Sequence, residues 1–101
     1  MKLTVEAIRE ELGAIDDPEM GLSIVELGLV RDIQLSQNHV QVMLTLTSPI
    51  CPWGPALVSA VRACLAELAA PREAVVELVW DPPWDPRTDA SPEAQAELGL
   101  W

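Results

Sequence analysis

The sequence predicts a two-layer α+β sandwich in α-β-β-α-β-α order, with a small three-stranded sheet covered by helices. Three observations carry that expectation. Inward apolar residues recur at every second position from Val40 to Leu46, apolar residues recur at helical spacing from Leu57 to Leu68, and 101 residues suffice for one hydrophobic core. Strands that alternate polar and apolar need one face covered, and helices supply the cover. Residues 1–101 therefore read as a single domain.

The first helix runs from Thr4 to about Ala14, with Thr4 as N-cap and Glu6 in the first turn, where the helix dipole favours an acid. Val5, Ile8, Leu12 and Ile15 fall near one face, and Gly13 followed by Asp16-Asp17-Pro18 stops the helix. Asp17 to Leu22 is a loop, since Pro18 disfavours helical geometry in its predecessor. Ser23-Ile24-Val25-Glu26 fits a capping box, and with Gly28 as a stop it predicts one helical turn. Leu29 to Leu35 and Val40 to Thr47 form a hairpin around the turn Ser36-Gln37-Asn38-His39. In the first strand Leu29, Ile33 and Leu35 share a face. In the second Val40, Val42, Leu44 and Leu46 point inward, and Gln41, Met43, Thr45 and Thr47 outward.

The main helix spans Trp53 to Ala69, with Leu57, Val61, Cys64, Leu65 and Leu68 as its apolar stripe. Pro52 and Pro55 fit only its first turn, where amides lack intrahelical acceptors, and Pro71 follows its end. Ala74 to Trp80 is the third strand and Asp81 to Pro86 a rigid loop. Ser91 then caps a last short helix with Pro92 at its first position and Gly99 as its stop.

Composition narrows the function. Half the residues are apolar and 22% are charged, which excludes a disordered chain despite nine prolines. A formal charge of −10 repels nucleic-acid phosphates and anionic lipid, so neither is an expected partner. No apolar run is long enough to span a bilayer, and Met1 to Val5 lacks the start of a secretory signal, so a cytoplasmic location is expected. There a chain with two cysteines, Cys51 and Cys64, keeps its thiols reduced. With His39 as its one histidine, it cannot build a four-ligand zinc site from Cys and His alone.

Cys51 precedes the proline that opens the main helix, so its sulfur is expected at or beside the N-cap, where unpaired amides and the dipole favour a thiolate. Thr47 and Ser48 are placed to donate hydrogen bonds to it. The bland alternative is that Cys51 is a small residue at a helix start. Cys64, in mid-helix on the stripe, reads as an inert core thiol. The acids of Asp16-Asp17-Pro18-Glu19 either reach a site or sit solvated in a turn. Trp84 either packs over the core or lines a cleft beside Cys51.

Taken together, Asp17-Pro18-Glu19, Ile24 to Val30, Thr45 to Pro52, Asp81-Pro82-Pro83-Trp84 and Ser91-Pro92-Glu93 with Leu98-Gly99 resemble the SufT/PaaD-like family of iron–sulfur cluster assembly domains. The resemblance covers nearly the whole chain. It implies a small α+β domain, often dimeric, that helps mature iron–sulfur proteins. The family's cysteine corresponds to Cys51, its loop acid to Asp17 with Glu19 beside it, and its hydroxyl pair to Thr47 and Ser48. Ser48 stands where threonine is commoner.

A cluster usually takes four protein ligands, so one suitable cysteine per chain cannot hold one alone. The expectation is therefore no stably bound cofactor, but transient iron or cluster at Cys51, shared with a partner. Expected partners are client apoproteins or a cluster scaffold, together with a second copy of the chain. The alternative is a PaaD-like accessory subunit of an oxygenase complex in which Cys51 is structural. Catalysis is the least favoured reading, because a cysteine hydrolase needs a nearby base. The eight residues Val40 to Thr47, at about 3.3 Å each, separate His39 from the Cys51 end of the strand. Trp53 and Trp101 are further candidates for a partner surface.

Overall fold

The computed structural model describes residues 3–47 and 52–99, so Ser48, Cys51 and Trp101 lie outside the described residues. Helix α1 (Val5–Leu12) starts at Thr4, whose hydroxyl accepts the Ala7 N–H at 3.1 Å, and it buries Ile8 and Leu12. Burying each such side chain contributes about 1.5–3 kcal/mol. The expected loop after it is a short hairpin, β1 (Asp16–Asp17) against β2 (Leu22–Ser23). Gly21, at φ 69°, closes its turn by donating to the Asp17 carbonyl.

The capping box expected at Ser23 is replaced by a turn. Ser23 Oγ accepts from Val25 N, and the Glu26 side chain turns away to accept from the Ser91 hydroxyl. Gly28 at φ 78° ends the turn, with Gly28 N donating to Val25 O and Leu29 N to Ile24 O. That pair of bonds is how a left-handed glycine satisfies the carbonyls of a closing helical turn.

The main sheet has strand order β3-β4-β5, with β3 (Val30–Leu35) antiparallel to β4 (His39–Leu44) and β4 parallel to β5 (Glu73–Leu78). Its register jumps from Val30↔Leu44 to Asp32↔Met43, which makes Arg31 the extra residue of a β-bulge. The bulge shifts the side-chain phase, so Val30, Ile33 and Leu35 pair with the inward Leu44, Val42 and Val40. Simple alternation had put Leu29 in that set. Leu29 is buried too, but from just before the strand.

Helix α2 (Gly54–Ala69) connects the two parallel strands and buries Gly54, Leu57, Val61, Leu65 and Ala69. It lies mainly over β5, while α1 lies against β3 and α2. The opposite face of the sheet carries Gln41 and Glu77, joined by a hydrogen bond of 2.9 Å. Beyond β5 the structure adds a one-turn helix, α3 (Pro86–Asp89), to the expected loop. The last helix, α4 (Pro92–Glu97), starts as expected: Ser91 Oγ accepts from Ala94 N, and Pro92 holds the first position. The six expected elements are thus present in the expected order, with β1, β2 and α3 added.

Candidate functional site

Where β4 ends, the alternation ends too. Thr45 and Leu46 are both buried, which corrects the expected outward placement of Thr45, and Thr45 N donates to Leu29 O at 2.8 Å. The Thr45 and Thr47 hydroxyl oxygens are buried without a hydrogen-bond partner among the described residues.

On the far side of segment 48–51, the N-cap of α2 is Trp53, which puts Cys51 two positions ahead of the cap rather than at it. Trp53 makes no side-chain cap and the first turn carries no acid. Pro55 has no N–H, and Leu57 N makes the first bond, to Trp53 O. The start of α2 therefore keeps the partial positive charge that a capping side chain would neutralise. A Cβ on the buried Gly54 would come within 2.9 Å of Leu46 Cδ1. The Leu46 side chain thus packs against the start of α2.

Asp17 is 1% exposed, and its Oδ1 accepts from Glu19 N at 2.8 Å and Met20 N at 3.1 Å. This carboxylate closes its own hairpin. The Glu19 side chain is exposed. Among the described residues, neither acid is hydrogen-bonded or ion-paired to Thr47. Trp84 packs on the core, and its indole N–H donates to Leu27 O at 2.7 Å, so its polar atom is used on the Ser23–Leu29 turn.

Trp84 belongs to a strap that the sequence did not reveal. Arg31, aimed outward by the bulge, pairs with Asp89 at 3.3 Å and donates to Pro82 O at 3.0 Å. Ser91 N donates to Glu26 O, and a Cβ on Gly28 would fall 2.1 Å from the Asp89 carbonyl oxygen. The chain from Pro82 to Ser91 is thereby fastened over the turn that follows the Asp17 hairpin. A positive-φ glycine was legible at position 28, but its partner lies sixty-one residues away, and no local pattern encodes that.

The remaining thiol and the histidine stay apart from this region. Cys64 is half-buried, and burial, then the Glu11 carboxylate, then that of Glu67, push its thiol pKa up. That agrees with an inert thiol at the margin of the core. His39 is exposed as the first residue of β4, with Nδ1 3.0 Å from Ser36 Oγ. Among the described residues no three His, Cys, Asp or Glu side chains are grouped to hold a metal ion. No helix among them is long and apolar enough to cross a membrane.

Comparison with known proteins places this architecture. The chain is 40% identical over 83 residues to the Fe-S protein maturation auxiliary factor YitW of Bacillus subtilis, covering 77% of this chain and 81% of that protein. It is 44% identical over 68 residues to the Fe-S protein maturation auxiliary factor SufT of Staphylococcus aureus, covering 66% and 77% respectively. The crystal structure of a domain of unknown function from Bacillus anthracis superposes with a TM-score of 0.84 at 35% identity, over 95% of this chain and 92% of that one. The profile of the iron–sulfur cluster assembly proteins matches residues 5–78, from the start of α1 to the end of β5. The chain belongs to the iron–sulfur cluster assembly protein family.

Proposed function

We infer that the chain is an auxiliary factor in iron–sulfur protein maturation, which passes iron or a cluster to client apoproteins through Cys51 and does so without catalytic turnover. The observation that carries this reading is the 40% identity, over most of both chains, to a protein named as such a factor. Cys51 supplies the sulfur. It stands two residues before Trp53, the N-cap of α2, which makes no side-chain cap, and there the helix dipole favours its thiolate. Thr47 brings a buried hydroxyl with no partner among the described residues, suited to donate to a sulfur ligand or an incoming iron-bound group. Ser48 adds a second hydroxyl next to it in the chain.

Asp17 and Glu19 act at one remove in this reading. Asp17 holds the hairpin, and Glu19 offers an exposed carboxylate on it. Iron or a cluster is cargo here, because one cysteine leaves most of a cluster's usual four ligand positions to others. The client, a scaffold or a second copy of the chain completes the set, and the handover takes place at that interface.

The test is cluster occupancy of several unrelated iron–sulfur proteins in cells lacking this factor. The wild-type chain is expected to restore occupancy, and Cys51→Ser, at equal abundance, is expected to fail. Equal rescue by both would overturn the role of Cys51. Restoration of a single oxygenase complex alone, by either chain, would overturn the general maturation role.

A further inference from the structure

β5 is an edge strand whose outer side is unpaired among the described residues, and its free groups can be named. Glu73 N donates to Asn38 O and Val79 N to Leu44 O, so the odd-numbered residues of β5 bond to β4. In a parallel pair the intervening residues point the other way. Ala74, Val76 and Leu78 therefore present their N–H and C=O groups outward, as an open template for one more strand.

A groove of about 520 Å³ runs alongside the end of this edge, lined by Leu46, Pro55, Val58, Arg62, Leu78 and Trp80 among others. Leu78 and Trp80 are 38% and 43% exposed, large apolar side chains that the fold leaves open. Arg62 is the cation of the groove on a chain of net charge −10. Its helical neighbours at i−4, i−3, i+3 and i+4 are Val58, Ser59, Leu65 and Ala66, so none of these positions on its own helix carries an acid, and among the described residues it makes no ion pair.

The geometry points to a docking site for an extended segment of a client protein, which adds a strand to β5 and sets apolar side chains and one carboxylate into this groove. The assignment of the occupant to a client rests on the maturation reading above. Backbone pairing supplies the register, and alternate side chains supply the selectivity. Arg62 lies eight residues along α2 from Gly54, about 12 Å, which spans about four strand residues. Because α2 runs opposite to β5, a segment added antiparallel to β5 with an apolar side chain opposite Trp80 places a carboxylate four residues later beside Arg62.

A second copy of the chain, paired with its helices on the same face of the joined sheet, does not fit this edge. Because α2 lies mainly over β5, pairing two β5 strands about 4.8 Å apart would bring two helices, each about 10 Å across, onto nearly the same line. A lone extended peptide carries no such helix.

The probe is the capped peptide acetyl-Thr-Leu-Thr-Val-Thr-Glu-Thr-amide, alongside the same peptide with Lys in place of Glu. Both are added to the full chain free of iron, as wild type and as Cys51→Ser. Amide exchange at Ala74, Val76 and Leu78 is expected to slow about fivefold or more at saturation, while Val75 and Glu77 change little. The Glu peptide is expected to bind about threefold tighter than the Lys peptide. Arg62→Glu is expected to invert that order, and Cys51→Ser to leave it unchanged.

Absence of protection at the three edge amides would overturn the proposal, and so would an order that Arg62→Glu does not invert. Protection that rises with protein concentration without peptide would overturn it in favour of a second copy. None of these readouts depends on iron, so they fail independently of the cluster-occupancy test.

Discussion

Asp17 separates a structural role from an electrostatic one. Its buried Oδ1 holds two N–H groups, those of Glu19 and Met20, at 2.8 and 3.1 Å. Asp17→Ala removes both bonds. Hydrogen bonds to a charged acceptor contribute about 1.5–3 kcal/mol each, but Glu19 is exposed and its N–H regains water. The net loss is then about 2–3 kcal/mol. With a urea slope of about 1–1.5 kcal/mol per molar for a chain of this size, the unfolding midpoint falls by about 2 M. Asp17→Asn keeps an acceptor oxygen in the same place and is expected to cost about 1 kcal/mol or less.

Urea unfolding of both variants, followed by client cluster occupancy at matched abundance, reads the two roles apart. If the carboxylate serves only to close the hairpin, Asp17→Asn retains occupancy. Loss of occupancy at unchanged stability would instead assign its charge to the site. An Asp17→Ala variant within about 0.5 kcal/mol of wild type would refute the hairpin argument itself.

Two further outcomes are expected from the same geometry. Gly28→Ala and Gly21→Ala both force a side chain into the left-handed region, at φ 78° and 69°, but only Gly28 also faces the Asp89 carbonyl. Gly21→Ala is expected to cost about 1–2 kcal/mol and Gly28→Ala at least about 1 kcal/mol more, read by urea unfolding. Equal costs would mean that the strap is not held against Gly28. Cys64, its thiol pKa raised by burial and by Glu11 and Glu67, is expected to alkylate more slowly at pH 8 than a cysteine in a short peptide. Its ionisation thus comes later in the folded chain than in the unfolded one. Its contribution to stability holds below the ordinary thiol pKa and fades as pH climbs through the raised value. Replacing Glu11 and Glu67 by Gln is expected to speed the modification, and an unchanged rate would remove the carboxylates as a cause.

Local chemistry wrote much of this protein directly. Thr4 and Ser91 cap their helices because a hydroxyl before an apolar run has a defined amide to accept from. Val40, Val42 and Leu44 face inward because side chains alternate across a strand, and Leu57, Val61 and Leu65 share a stripe because a helix repeats every 3.6 residues. The motif set around Asp17, Thr47 and Cys51 was likewise legible, since several short patterns in register carry family information that no single one does.

Tertiary structure decided what depends on partners distant in sequence. The Arg31 bulge moved Val30 into the inward set because β4, rather than β3 itself, fixes the register. Glu26 abandoned its capping box for Ser91, sixty-five residues away, and Trp84 spent its indole N–H on Leu27. Gly28 stands where it does because the backbone of Asp89 leaves no room for a Cβ. Each of these contacts forms only after non-local segments meet, so periods and caps in the sequence could not announce them.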